Sequence, residues 1–400
     1  MFTHAPSMCT DKKAPVHELL NEELLTTIRE RAAGVDERNE FPTEDLADLR
    51  AAGYLKIMAP TQLGGLGWSF EQVVYAQRLL AGASPATALA INMHLVWNGV
   101  ALLMGRAGAT EFERVFTDSV AGKIYAFGIS EPGNDAVLLD SATTTATPDG
   151  NGNYVLEGLK IFTSMAPVFD RLGVFGKDDS APDQEKLVYG FIDRDQNGWE
   201  SIENWDMLGM RGTQSKATKL TGVTLYAENI VRKLPVGPSP DPLIFGIFAS
   251  FLTLIAAVYT GIGDRALQLA ATALQQRSTY LGQQQFGYDA LAEDPVFRDR
   301  IGAMGMEAIS QDALMIQLST LLDDPAANLG PAWFPLFVTA RTKATDYALG
   351  SATAALELAG GASFHRTHEL SRIYRDATAG IYHPSSKKAA RNTVADWLLG

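Results

Sequence analysis

Cysteine is nearly missing from this chain. Cys9 is the only one in 400 residues, so neither an intrachain disulfide nor a cysteine-based zinc site can form. Basic side chains are outnumbered, 33 against 46 acidic, for a net charge of −13. That balance disfavours nucleic acid or an anionic membrane surface as the main partner, while leaving room for a local basic pocket around one phosphorylated ligand. Residues 1–13 carry no apolar stretch that would read as a secretory signal. With the lone cysteine, this fits a cytoplasmic location. There is no G-x-S-x-G elbow, no Walker loop and no internal repeat. What remains is an ordinary globular composition, 46% hydrophobic and 20% charged, which argues against disorder. The length predicts two or three domains.

Texture divides the chain in three. Residues 1–123 read as a helical domain. Apolar residues recur at helical spacing over 21–34 and 42–52, with Thr43 placed to cap a helix and Gly53 to end one. Helical texture resumes over 70–81, 86–104 and 109–120. Residues 124–233 change to a β domain. Short β-branched and aromatic runs at 124–129, 141–147, 154–163, 172–176, 187–192 and 217–225 alternate with turn signals such as Asp149-Gly150-Asn151-Gly152. A Pro/Gly/Ser stretch over 234–240 reads as a linker. Residues 234–400 then read as long helices, at 243–281, 294–322, 331–358 and from 386, enough for a four-helix bundle. The fold class is α+β, in the order helical domain, β domain, helical bundle.

Local motifs alone decide little. Residues 242–263 carry no charge and are long enough to cross a bilayer, but Gly246, Ser250, Thr253 and Thr260 dilute the run, so a buried core helix is the better reading. Gly261-Ile262-Gly263-Asp264-Arg265-Ala266 fits the dinucleotide fingerprint, yet it lacks the strand that must precede it. Close helix packing is expected there instead. His365 and His368 are three apart without a nearby third ligand beyond His383, so no metal is assigned.

Six stretches in order carry a resemblance across essentially the whole chain. They are Gly53-Tyr54-Leu55 with Gly64-Gly65-Leu66-Gly67; Ile129-Ser130-Glu131-Pro132-Gly133-Asn134; Glu157-Gly158-Leu159-Lys160-Ile161-Phe162-Thr163-Ser164; Leu208-Gly209-Met210-Arg211-Gly212-Thr213; Arg277 with Phe286-Gly287; and Gly360-Gly361 with Arg372-Ile373-Tyr374-Arg375-Asp376. Together they resemble the acyl-CoA dehydrogenase superfamily. The resemblance implies a helical domain, a β-barrel-like middle domain and a four-helix bundle. It implies FAD between the last two, with FMN or reduced flavin from a reductase as the variant, and a homodimer or homotetramer. Flavin contacts would fall to Ile129, Ser130, Asn134, Phe162 and Ser164. Arg277 would reach the pyrophosphate of a neighbouring subunit's FAD. Gly360, Gly361 and Ser385 would border the cofactor. Glu357 stands where the family has a cofactor-touching glutamine, and a carboxylate there can accept from a ribose hydroxyl but would repel a pyrophosphate. Arg372, Arg375 and Asp376 are expected to form a structural ion-pair cluster.

The departure in chemistry is larger. Dehydrogenases of this family remove an α-proton from an acyl thioester with a glutamate. Their usual position reads Tyr382-His383-Pro384 here, and the position used by a subset falls near Phe251, so neither holds an acid. His383 is the candidate catalytic group, since an imidazole of ordinary pKa can act as a base. Flavin monooxygenases of the same fold also place a histidine after the Arg-Asp motif. Asn92 and His94 are expected to face the substrate cavity. Three readings follow. The first is an FAD-dependent oxidoreductase acting on the CH-CH group of an acyl thioester. The second is a two-component flavin monooxygenase acting on an aromatic or related small molecule, with a flavin reductase or electron-transfer partner. The third is a catalytically silent flavin- or acyl-binding protein.

Overall fold

The structure, a computed structural model, describes residues 10–133 and 142–400. Helices α1 (Thr10–Leu19), α2 (Glu22–Arg38), α3 (Thr43–Ala51), α4 (Phe70–Ala83), α5 (Pro85–Arg106) and α6 (Glu113–Val120) come first. Their starts follow from local chemistry. Asn21 caps α2 by accepting from Leu24 N–H, and Ser69 with Gln72 forms a reciprocal capping box on α4. Thr43 is the first residue of α3 rather than its cap, because Pro42 takes the cap position. Gly53 ends that segment with φ +88°.

The middle region is a mostly antiparallel sheet of β1 (Tyr125–Gly128), β2 (Thr145–Pro148), β3 (Tyr154–Thr163), β4 (Arg171–Asp178), β5 (Lys186–Asp193), β6 (Trp199–Ile202), β7 (Lys216–Leu225) and β8 (Ile230–Pro235). Its order is β6-β7-β3-β2-β4-β5-β8, with β1 parallel to β4. Strand alternation sorts the side chains. Tyr125, Phe127 and Ile129 join the large core shared with the helices, whereas Ala126 joins a second core of sheet residues such as Leu156, Leu172 and Val223. The sequence reading misses β6 and β8. β8 runs through Pro235 into the expected linker, because an edge strand tolerates a proline.

Helices α7 (Pro242–Gln276), α8 (Pro295–Asp323), α9 (Trp333–Ala359), α10 (Glu369–Thr378) and α11 (Lys387–Leu399) complete the chain. α7 is the axis, packed against α4, α5, α8 and α9. α5 and α7 are both long and apolar enough to cross a membrane, but 83% of the apolar window of each is buried in protein, so both are core helices. The glycines of the fingerprint lie inside α7. A Cβ at Gly261 would collide with Arg78 and Ala81 of α4, and one at Gly263 with the Tyr347 ring of α9. Close packing is what they serve. His368 caps α10 by accepting from Leu370 N–H at 3.1 Å.

Candidate functional site

The candidate residues fall on three parts of the fold. The first is the end of β1 and β3. Ile129 is buried, and the Ser130 carbonyl accepts from Ile161 N–H at 2.9 Å, which lays this segment along β3. Below it, Glu131 and Lys160 form a fully buried ion pair at 2.6 Å. Lys160 also donates to the Phe175 carbonyl at 2.8 Å, and Glu131 accepts from the N–H groups of Thr143 and Thr144. Phe162 has φ +58° yet leaves its ring 46% exposed. A bulky residue in the left-handed region costs on the order of 1–2 kcal/mol. Such strain is retained where the surroundings enforce it, commonly at functional sites. The Trp205 ring stands edge-on to Phe162 at 6.3 Å. Ser164 is buried against Ser215, Oγ to Oγ 2.8 Å, and Ser215 meets Thr213 at 2.7 Å. Asn134 lies outside the described residues.

The second part is α7 and the turn after α10. Phe251 stacks on Phe127 at 5.3 Å. His383 Nε2 meets the buried Tyr259 hydroxyl at 2.9 Å. Burial first, and the Arg341 cation second, push the His383 imidazole down to about 3. Ser385 is half-buried one residue before Ser386, which caps α11 through Ala389 N–H.

The third part is the end of α9. Gly360 has φ +75°, and a Cβ there would stand 2.7 Å from the Arg277 guanidinium. Arg277 donates to the Leu358 carbonyl at 2.9 Å in its own chain. That contact folds it against Gly360. Glu357 is exposed and paired with Arg300. Gly361 opens a one-turn helix beside it.

The remaining expectations concern α5 and the Arg-Asp motif. His94 is fully buried. Its Nδ1 accepts from Tyr125 N–H at 3.2 Å, and its Nε2 lies 2.7 Å from the Leu55 carbonyl. Both ring nitrogens are therefore spent on backbone, and burial pushes the ring down to about 4. This corrects the expectation that His94 faces a substrate cavity: it ties α5 to β1 instead. Asn92 is also fully buried. Its Oδ1 accepts from Gln77 at 2.6 Å, while its Nδ2 has no hydrogen-bond partner among the described residues. In the motif, Arg375 pairs with Asp36 through both terminal nitrogens, and Asp376 accepts from Met210 N–H at 2.6 Å. Burial raises the Asp376 carboxyl to about 6. Arg372 is buried nearby. The cluster thus holds the Leu208–Thr213 segment, from which Trp205 and Ser215 extend to Phe162 and Ser164.

Sequence reasoning missed Tyr259, Arg341, Trp205 and Ser215. For Tyr259 a signal was present, because a hydroxyl inside an uncharged helical run needs a partner. Arg341, on an ordinary amphipathic helix, offered none.

Three consecutive family profiles match the chain: acyl-CoA dehydrogenase N-terminal domain at residues 12–112, middle domain at 126–223 and C-terminal domain at 253–387. The chain belongs to the acyl-CoA dehydrogenase superfamily. Among its relatives, YdbM of Bacillus subtilis (strain 168), provisionally named an acyl-CoA dehydrogenase, is 28% identical over 92% of each chain. The dibenzothiophene monooxygenase of Rhodococcus qingshengii is 28% identical over 90% of this chain and 87% of its own. The solved structure of KijD3 in complex with FMN and a dTDP-linked amino-deoxy sugar is 27% identical, with TM-score 0.81 over 99% and 95% of the two chains. This superfamily member is a flavin-dependent oxidoreductase. The residues of the first part fit such a group: Phe162 and Trp205 offer aromatic surface, and Ser130 and Ser164 flank Phe162 along the strand. If Phe162 is a flavin shelf, Phe162→Gly should relieve the left-handed strain and raise stability by up to about 1 kcal/mol, while weakening flavin binding about tenfold. Thermal unfolding and flavin fluorescence titration check both halves.

Proposed function

We propose that this protein is a flavin-dependent monooxygenase, with reduced FMN delivered by a separate reductase, acting on a small aromatic or amino-bearing molecule in the cytoplasm. What supports the reading is that neither position at which the resemblance places the family carboxylate holds an acid in this chain. One place holds Phe251 stacked on Phe127, and the other holds His383 tied to Tyr259. Removing an α-proton from a thioester needs a base matched to the working pH, and an imidazole pushed down to about 3 is a poor one. Bound reduced flavin supplies the electrons that activate oxygen. Around it, Phe162 and Trp205 would support the ring system, Ser130 and Ser164 would meet its polar edge, and His383 would stand beside the reacting region. The named relatives support this, one a monooxygenase and one solved with FMN. FMN is preferred to FAD because Glu357 puts a carboxylate where the longer cofactor would bring its pyrophosphate. The exposed Val296, Met306 and Ile309 on α8 support a homodimer or homotetramer.

The test is an anaerobic mixture of the oxidised flavoprotein with a panel of acyl-CoAs of differing chain length. The flavin absorbance should stay unchanged with every member. Bleaching by any of them would replace this reading with the dehydrogenase.

A further inference from the structure

The hydrogen-bonding around His383 decides what that residue can do. Tyr259 is fully buried on α7, and its hydroxyl has one hydrogen-bond partner among the described residues, His383 Nε2. Burial raises the phenol far above its ordinary pKa, so it keeps its proton. With no other acceptor in reach among the described residues, that proton points at Nε2. Nε2 is then an acceptor, and a neutral ring must carry its own proton on Nδ1. Nδ1 has no partner among the described residues.

The backbone of the same turn is held from a second side. Arg341 on α9 is buried, forms no ion pair among the described residues, and donates to the carbonyls of Gly380, at 2.6 Å, and His383. Gly380 fits only because it lacks a side chain. A Cβ would stand 2.7 Å from both Thr345 and the Tyr259 ring. Other charged groups reach this cluster from each packed element: Asp346 on α9, paired with Lys387 of α11, and Asp376 on α10. The cation nearest His383 is Arg341, which opposes a charge on the ring.

We propose that Tyr259 is a positioning residue that fixes His383 as a hydrogen-bond donor through Nδ1, while Arg341 holds the backbone of the turn. This rests on the monooxygenase reading and deepens it. A base would need a bare Nδ1, which would leave the Tyr259 hydroxyl buried without an acceptor. A donor needs no rearrangement, and a donor is what a developing negative charge on oxygen requires.

The experiment is ¹⁵N NMR of selectively histidine-labelled protein at neutral pH without flavin, with His383→Gln to assign the resonance. His383 should show a protonated Nδ1 and an unprotonated Nε2. Tyr259→Phe, which removes only the hydroxyl, should convert this to a mixture. Arg341→Lys should keep the tautomer. With reduced FMN and oxygen, Tyr259→Phe should release hydrogen peroxide about tenfold faster than the parent, the weight of one ordinary hydrogen bond. An Nε2-protonated ring in the parent, or a tautomer unaffected by Tyr259→Phe, overturns the proposal even if the protein proves to be a monooxygenase. Bleaching of the flavin by an acyl-CoA would instead overturn the functional reading and leave the NMR result standing.

Discussion

Replacing His383 by alanine is expected to lower product formed per oxygen consumed by about a hundredfold, within the range for loss of one positioned proton-transfer or donor group. Oxygen uptake should continue, with the electrons recovered as hydrogen peroxide. The reason is structural. The ring is held at one nitrogen by Tyr259, and its backbone is clasped by Arg341, so alanine removes the donor and leaves the apolar walls in place. Flavin affinity should change little, because the contacts proposed to hold the flavin fall to Phe162, Ser130 and Ser164. The checks are an oxygen electrode, a peroxide assay and product analysis on one set of samples. Unchanged coupling would remove His383 from the chemistry.

The second large effect concerns stability. Lys160→Met should destabilise the protein by about 3–5 kcal/mol, because it removes the cation paired with the buried Glu131 carboxylate. Joint replacement by Glu131→Gln and Lys160→Met should recover much of the loss, since the cost lies in the orphaned charge more than in the absent pair. Equilibrium urea unfolding of the three variants checks this. Acid adds a second reading. Burial alone would raise the Glu131 carboxyl, but the Lys160 ammonium and the backbone N–H groups outweigh it and hold it down at about 2. A depressed folded value means a contribution fully present above about 4.5 and lost as pH falls toward 2. The parent should therefore lose more stability across that window than the double variant. The pair also lies between Ser130 and Phe162 in sequence, so Lys160→Met should weaken flavin binding as well.

Much of the fold is legible in residues. β3 begins and ends where alternation and the turn before it place it, and Gly53 stops its segment as expected. The errors have physical causes. β6 and β8 are the two ends of the sheet, one only four residues long and the other carrying charges in its middle and a terminal proline. Backbone motifs single out Phe162 and Gly360, and both take positive φ in the fold. The site was not legible where long-range partners decide. His94 looks like a cavity residue until Tyr125 and Leu55 claim both nitrogens. His383 looks like a base until Tyr259, 124 residues away, claims Nε2. A sequence names an imidazole, but the groups around it choose the tautomer.

The most direct test of the account mixes protein holding reduced FMN with oxygen and follows oxygen loss and peroxide release together. Peroxide should lag clearly behind oxygen loss in the parent, and the lag should vanish in His383→Ala. Peroxide rising in step with oxygen loss in both proteins would contradict the account.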